Sequence, residues 1–441
     1  MIAANVALQA RELEIIAKAD VVVCGGGPAG VAAAVAAARM GRAVVLIEQT
    51  GCLGGLGTSG MVPVFCPATD REKVIAAGLC KEVMDETALR MGVEVNYNWF
   101  PFDYEVLKVI YDEIVLDAGV KLLLATTLAD VVVEDGQVKA VVVATRKGLA
   151  AIVGEVFVDG TGDGNVSAWA GAECEIGGPG GELMGPTLCS MFSNVDWAAY
   201  RAAETQGMSA RSIWLDLVES GKAPVQEYHL PGAFKASPTR SGNNVGHCYG
   251  VNGLDEESLT EGYVEGRKLV GMYLSFYREH VPGYENAELA WTGSLLGVRE
   301  TRRVMGDYVL NFDDYKARAS FPDEIGRFAY PIDIHSGTTD PSAQKHVETE
   351  MRETQLGVGE SYGIPYRSLI VKGLSNLLVA GRCMSTDRQV QSSLRVMPGC
   401  FVTGQAAGVG AGLAVEKRSP VREINTDKLR ELLRHQGAHI P

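Results

Sequence analysis

His335, in the run "YPIDIHS", stands two residues after Asp333. An imidazole titrates close to neutrality, so it can take a proton from a hydroxyl or an amine. On an extended strand, residues i and i+2 share a face, which lets the Asp333 carboxylate orient or charge the ring. The same two residues also read as a plain structural contact at a strand end. His247, in "GNNVGHCYG" beside Asn243 and Asn244, is a weaker candidate in a loop, and the other five histidines read as surface or packing residues. Arg299, Arg302 and Arg303 in "GVRETRRV" fall at i, i+3 and i+4, so on a helix they share a face, with Glu300 off it. Guanidiniums grouped in this way suit a carboxylate or a phosphate. The competing reading is a solvated or domain-interface face salted by acids. Tyr366 and Arg367, in "IPYRSL", either line a pocket or pack.

A second constellation lies near the N-terminus. Gly25, Gly27 and Gly30 fit the spacing G-x-G-x-x-G in "VVVCGGGPAG". The first permits a tight turn, the second lets backbone approach a pyrophosphate, and the third lets helix and strand pack closely. The helix that follows offers free N–H groups and a partial positive charge at its start. Glu48 ends the next apolar run, 21 residues after Gly27, placed to accept hydrogen bonds from a ribose diol. Cys24 precedes the glycines, but it ends a buried strand and reads as a packing residue.

Residues 20–24, 29–40 and 43–48 are expected to form a strand–helix–strand unit. A glycine-rich loop, "QTGCLGGLGTSG", follows. Thr69 and Glu72 read as a capping box ahead of a helix with Val74, Ile75, Leu79, Val83 and Met84 on its apolar face. Another helix begins at Asp103 and stops at Gly119. Strands are expected over 120–126, 128–134, 137–145 and 150–158, with a hairpin turning on Asp135-Gly136. A plain NAD-binding domain alternates strand and helix and needs no such meander. Residues 165–365 have weak periodicity. From 366 the apolar pattern returns, as one or two strands and then a small-residue helix over 398–416.

The bulk properties set bounds. The chain has 441 residues, 46% of them hydrophobic and 21% charged, which suits a soluble globular enzyme with a large core. A length of this order carries a prior of roughly two to three domains. The net charge of −14 argues against nucleic acid and anionic membranes as partners. Nine cysteines with no CxxC spacing point to free thiols in a reducing compartment and to no metal centre. The first 18 residues carry Arg11, Glu12, Glu14 and Lys18, unlike a signal peptide. A cytoplasmic protein is expected.

Three phrases carry a resemblance: "CGGGPAG…LIEQTGCLGG", "VDGTGDG" and "LLVAGRCMSTDRQVQSSLRVMPGCFVTGQAAG". With "GVRETRRVMGDY" and "YPIDIHS", the chain resembles the FAD-dependent oxidoreductases that share the glutathione-reductase-type flavin domain, distantly related to fumarate reductase flavoproteins. The resemblance implies an α/β fold: a Rossmann-like, three-layer ββα FAD-binding domain from residues 1–172 and 366–441, with an α+β substrate domain, 173–365, inserted.

It also implies roles. Gly25, Gly27, Pro28, Ala29 and Gly30 would hold the pyrophosphate of FAD, with Glu48 and Gln49 at the adenosine ribose. Gly54, Gly55, Thr58 and Ser59 would run beside the ribityl chain and flavin, and Leu128 would meet the adenine. Thr161, Gly162 and Asp163 would close the phosphate side. Gly381 and Arg382 would approach from the C-terminal strand, with Arg395, Val396 and Met397 ahead of the last helix and Gly404 within it. Cys52, Cys383 and Cys400 fall in or beside these phrases, and small apolar fillers are the competing reading.

A second glycine triplet and a redox cysteine pair are lacking, so NAD(P)H is not an evident built-in co-substrate. The resemblance implies hydride transfer from a small polar substrate, anionic or polyhydroxylated, to flavin N5. His335 would be the proton acceptor, with Asp333 and Tyr366 beside it and Arg299 and Arg302 as anchors. The alternatives are fumarate-reductase-like reduction of an activated C=C with Arg382 or Arg302 as proton donor, a flavin monooxygenase, a tRNA-modifying flavoprotein (disfavoured by the net charge) and a flavin-binding scaffold without turnover. A homo-oligomer is compatible with the resemblance.

Overall fold

The computed structural model describes residues 10–229 and 232–441. The first nine residues of the expected N-terminal domain lie outside them.

The valine run Ile15–Cys24 forms the centre of a seven-stranded sheet. It pairs in parallel with Val44–Ile47 on one side, in the register Val21 to Val44, and with Gly148–Asp159 on the other, in the register Val22 to Phe157. Lys121–Leu123 extends the parallel side. The Gly148–Asp159 strand changes character along its length. Its first half pairs antiparallel with Gln137–Thr145, which returns through Asp135-Gly136 to Thr127–Glu134. Its second half pairs in parallel with Leu377–Val379. Both turn residues take the left-handed conformation, φ 49° and 70°, as a tight two-residue hairpin requires. The parallel strands end together at Cys24, Ile47, Asp159 and Val379. Ligands of open parallel sheets bind beyond such carboxyl ends.

Helix Pro28–Ala38 is alanine-rich because it is buried all round. The helix Met397–Lys417 crosses it and is equally buried over most of its length. Gly408 is as tightly seated there as Gly404: an added Cβ would lie 2.2 Å from the Ala33 oxygen and 2.1 Å from the Ala29 oxygen, respectively. Cys24 is fully buried, and burial, followed by Asp159, pushes its thiol well up.

A second apolar cluster fills the region whose periodicity was weak. Four antiparallel strands run in the order Ala233–Ser237, Arg240–Asn243, Ser190–Ser193, Glu288–Thr292. The 25-residue helix Glu256–His280 supplies Val270, Tyr273, Phe276 and Tyr277 to that cluster, with Phe192, Trp197, Trp214 and Tyr284. Among the described residues, no helix is long and apolar enough to cross a membrane.

Three local expectations are corrected. The helix after the glycine loop starts at Leu79 behind Gly78, and Thr69 instead bridges to Val74, so there is no capping box. Residues 299–303 are not helical. Arg302–Val304 is a strand paired with Cys174–Ile176, which puts Arg302 and Arg303 on opposite faces. Asp333 and His335 lie in irregular backbone rather than a strand.

Candidate functional site

Two chambers meet in the interior. The first, about 530 Å³, opens at the carboxyl ends of the parallel strands. Gly25, Gly27, Pro28 and Ala29 line it, with Glu48, Gln49, Gly55, Leu128, Thr161, Gly162, Asp163, Gly381, Arg382, Arg395, Met397 and Cys400. A Cβ on Gly27 would meet nothing, whereas on Gly25 it would strike the Gly160 carbonyl at 2.5 Å. The Pro28–Ala38 helix has no side-chain cap, so its first N–H groups face the chamber as donors. Glu48 is buried and fixed by the N–H groups of Gly26 and Thr50, each at 2.7 Å. The Met397–Lys417 helix also begins without a side-chain cap.

Arg382 donates from Nη2 to Asp163 Oδ1 at 2.7 Å, while its Nη1 is buried without a partner among the described residues. An unmatched cationic donor and an uncapped helix start in one chamber fit the anionic pyrophosphate of FAD. Arg302 also lines this chamber, donating to Asp163 O and Asn165 Oδ1.

Several residues expected along the cofactor support the walls from behind. An added Cβ on Gly30 would lie 1.7 Å from Gly25 O. Gly54 takes φ 102° and donates to Gly26 O. The Thr58 hydroxyl donates to Leu53 O, and Ser59 Oγ lies 3.1 Å from Cys52 Sγ. Gly404 packs on Ala29, and Cys383 is buried without lining either chamber.

The second chamber, about 690 Å³, shares Leu56, Gly57, Val298, Arg382, Arg395 and Met397 with the first. Its other walls include Val396, Cys66, Trp99, Cys189, Phe234 and Tyr330, and its polar end gathers Arg299, Asp333, His335 and His229. His335 Nε2 lies 3.4 Å from Asp333 Oδ1. Asp333 Oδ2 accepts from Arg395 Nη2 at 3.1 Å and from the Tyr330 hydroxyl at 3.2 Å. Burial works against the charged Asp333; a protonated His335 would hold the carboxyl far down, and Arg395 holds it down whether or not that ring is charged. Burial, and then Arg299, push His335 well below the usual imidazole range, against the pull of Asp333. His335 is therefore neutral at rest.

Behind His335 stands His247, with Nε2 at 2.7 Å from His335 Nδ1 and Nδ1 at 2.9 Å from Glu227 Oε2. The Tyr249 hydroxyl donates to the same Glu227 oxygen at 2.9 Å. The His229 ring lies 4.6 Å from that of His335 and is hydrogen-bonded to Glu348. His229 thus lines the chamber beside His335, where the sequence offered only a surface or packing residue. No spacing signal joins Glu227, His229 and Glu348 to His335, because the fold brings them from different segments.

Arg299 is buried and donates to Gly185 O, Thr187 Oγ1 and Asn244 Oδ1. Burial, and then Arg395, lower it to about 10. Two expected residues lie elsewhere. Tyr366 lines neither chamber: its hydroxyl donates to Val421 O and its ring packs against Gly410. Arg303 is buried against Glu300, which also pairs with Arg388 at 2.9 Å, a structural network outside both chambers.

A family model described as FAD dependent oxidoreductase matches residues 20–433. No curated protein matches the chain. Among solved structures, it is similar to a geranylgeranyl bacteriochlorophyll reductase-like protein from Thermoplasma acidophilum, at 13% identity and TM-score 0.48 over 96% of this chain and 84% of that one. A p-nitrophenol 4-monooxygenase from Pseudomonas putida is similar at 13% identity and TM-score 0.43, over 95% and 84%. An aromatic hydroxylase from angucycline biosynthesis is similar at 13% identity and TM-score 0.45, over 95% and 68%.

Proposed function

Since the chain belongs to the family of FAD-dependent oxidoreductases, we propose that it is a dehydrogenase or oxidase that takes hydride from a small polar substrate, anionic or polyhydroxylated. FAD supplies the two-electron hydride acceptor. Gly25, Gly27, Pro28 and Ala29 would hold its pyrophosphate with Arg382, Glu48 its ribose, and Gly55, Arg395 and Met397 its flavin end. In this reading residues 1–172 and 366–441 form the FAD-binding domain and 173–365 the substrate domain. The pairing of Leu377–Val379 with Gly148–Asp159, and the separate apolar cluster around Tyr273, support that division.

The observation that carries the reading is the position of His335, a neutral buried base in a chamber sharing a wall with the nucleotide chamber. His335 takes the hydroxyl or amine proton, and the Asp333 carboxylate stabilises the imidazolium so formed. Arg299 anchors the substrate's anionic or hydroxyl group from the same chamber. Arg302 lines the nucleotide chamber instead, which leaves substrate anchoring to Arg299. One observation favours a second reading. The unpartnered Arg382 Nη1, in a residue lining both chambers, suits a proton donor in reduction of an activated C=C.

Anaerobic mixing of the FAD-loaded protein with panels of hydroxy acids, amines and polyols tests the proposal through the visible flavin band. Bleaching by one of these is the expected result. Bleaching by NADPH alone, with reoxidation by an enoate or by oxygen, would replace dehydrogenation with reductase or monooxygenase chemistry.

A further inference from the structure

The three contacts along Glu227, His247, His335 and Asp333 form one proton-counting problem. Glu227 and His247 have side chains only 3% and 2% exposed. Burial alone would raise the Glu227 carboxyl, but its contacts with His247 and the Tyr249 hydroxyl, both hydrogen bonds that need no charge on the ring, work against it and leave it lowered and ionised. An ionised carboxylate only accepts. His247 Nδ1, at 2.9 Å, therefore carries the proton of that contact. Burial lowers His247, so its ring is neutral and its Nε2 is bare. The 2.7 Å contact to His335 then needs its proton from His335 Nδ1. A neutral His335 protonated there presents a bare Nε2. That nitrogen faces Asp333 Oδ1 across 3.4 Å, the longest of the three contacts. Two lone pairs meet at that gap, and it is the place that lacks a proton.

We propose that Glu227 and His247 are positioning residues that keep the proton of His335 on Nδ1, reserve Nε2 to accept the substrate's proton, and then share the added charge. The proposal rests on His335 being the proton acceptor. When substrate is oxidised, its O–H bond breaks, the electron pair stays on oxygen, and the proton goes to His335 Nε2. The C–H hydrogen leaves with both electrons of its bond as hydride, for which FAD would be the acceptor, and the pair left on oxygen closes the C=O bond, so the substrate loses two electrons and two hydrogens in all. Three protons then lie on four ring nitrogens, one for each contact. A single excess positive charge is spread over two imidazoles held between two carboxylates. The other groups facing this relay include Arg299 and His229 at His335, Arg395 and Tyr330 at Asp333, and Tyr249 at Glu227. Arg395 spends its Nη2 on Asp333.

Ring-nitrogen NMR of the FAD-loaded protein, with histidine labelled at both ring nitrogens, reads the arrangement directly. At neutral pH His335 is expected to show a protonated Nδ1 and a bare Nε2. In Glu227→Gln, whose amide can donate to His247 Nδ1 and reverse the chain, His335 Nε2 is expected to gain proton occupancy. Tyr249→Phe keeps the carboxylate and should leave the tautomer unchanged. A wild-type His335 protonated on Nε2 overturns the proposal without any variant. So does an unaltered His335 in a Glu227→Gln protein that still binds FAD. With a substrate found by flavin bleaching, Glu227→Gln should lower kcat about 10- to 100-fold at nearly constant KM, as loss of an outer partner to a functional histidine does. A His335→Asn protein turning over at the wild-type rate would instead overturn the acid–base reading beneath the proposal, whatever the tautomer.

Discussion

Gly404 lies directly on the backbone carbonyl of Ala29, so close that a methyl on Gly404 would stand 2.1 Å from the Ala29 oxygen. Four residues on, Gly408 repeats the contact with Ala33. The two helices thus cross backbone to backbone, and both begin at the nucleotide chamber. Gly404→Ala or Gly408→Ala should destabilise the protein by about 1–3 kcal/mol or more, because the interior cannot yield without moving a helix. Gly271, inside the Glu256–His280 helix, meets nothing within 4 Å. Gly271→Ala should therefore stabilise by roughly 0.5–1 kcal/mol. Denaturant midpoints of the three variants check both signs.

Arg382 predicts a cofactor effect. Its Nη1 is an orphaned cationic donor among the described residues, and its Nη2 holds Asp163. Arg382→Met should weaken FAD binding by about 1.5–3 kcal/mol, or roughly 10- to 150-fold in Kd. Arg382→Lys should recover part of the loss, since it restores charge but not the fork. Titration of apoprotein with FAD, followed by fluorescence quenching, measures it.

His335→Asn keeps a hydrogen-bonding side chain but removes the base. Turnover of a bleaching substrate should fall about 10²- to 10⁴-fold, with FAD affinity unchanged. Stopped-flow reduction of the bound flavin separates this from a binding defect. Equal rates for variant and wild type would exclude His335 as proton acceptor.

Acid should destabilise the protein before its carboxylates titrate. His247 and His335 are both lowered in the fold, chiefly by burial. In the unfolded chain each takes a proton near pH 6.5. As pH falls below that value, the unfolded state binds protons that the folded state refuses, so folding stability drops. Above it both states are neutral at these sites and the effect vanishes. Thermal melts from pH 7.5 down to 5 should show the decline, and His335→Asn should flatten it. A constant melting temperature over that range would mean that the folded protein takes up protons at these rings as readily as the unfolded chain does.

The nucleotide half was legible because its signals are local. A valine strand, three spaced glycines and an alanine helix are consecutive, and each has one conformation that suits it. The Asp135-Gly136 hairpin was legible for the same reason. The arginine run at 299–303 was misread because helical spacing of charges carries no information on burial. Arg303 and Glu300 are interior partners, and the backbone there is drawn straight by pairing with Cys174–Ile176. The Glu256–His280 helix did leave a trace in Gly262, Gly266, Val270, Tyr273 and Tyr277, all buried on one face behind the Asp255 cap. Glycines in that stripe blurred its apolar period. Around His335, only Asp333 is a sequence neighbour. Glu227, His229, His247 and Glu348 meet there through tertiary packing.

The crossing of the two small-residue helices joins residues 28–38 to residues 397–417. The strand Leu377–Val379 likewise closes onto Gly148–Asp159. During synthesis, a ribosome delivers the glycine turn at the outset and the other wall of the groove almost at the end. The groove has no ceiling until then, and the second half of the Gly148–Asp159 strand has no partner on one side. Folding of the cofactor half is therefore a late, long-range event. A nascent chain cut before Leu377 lacks both the closing strand and the closing helix, and is expected not to retain flavin nucleotide.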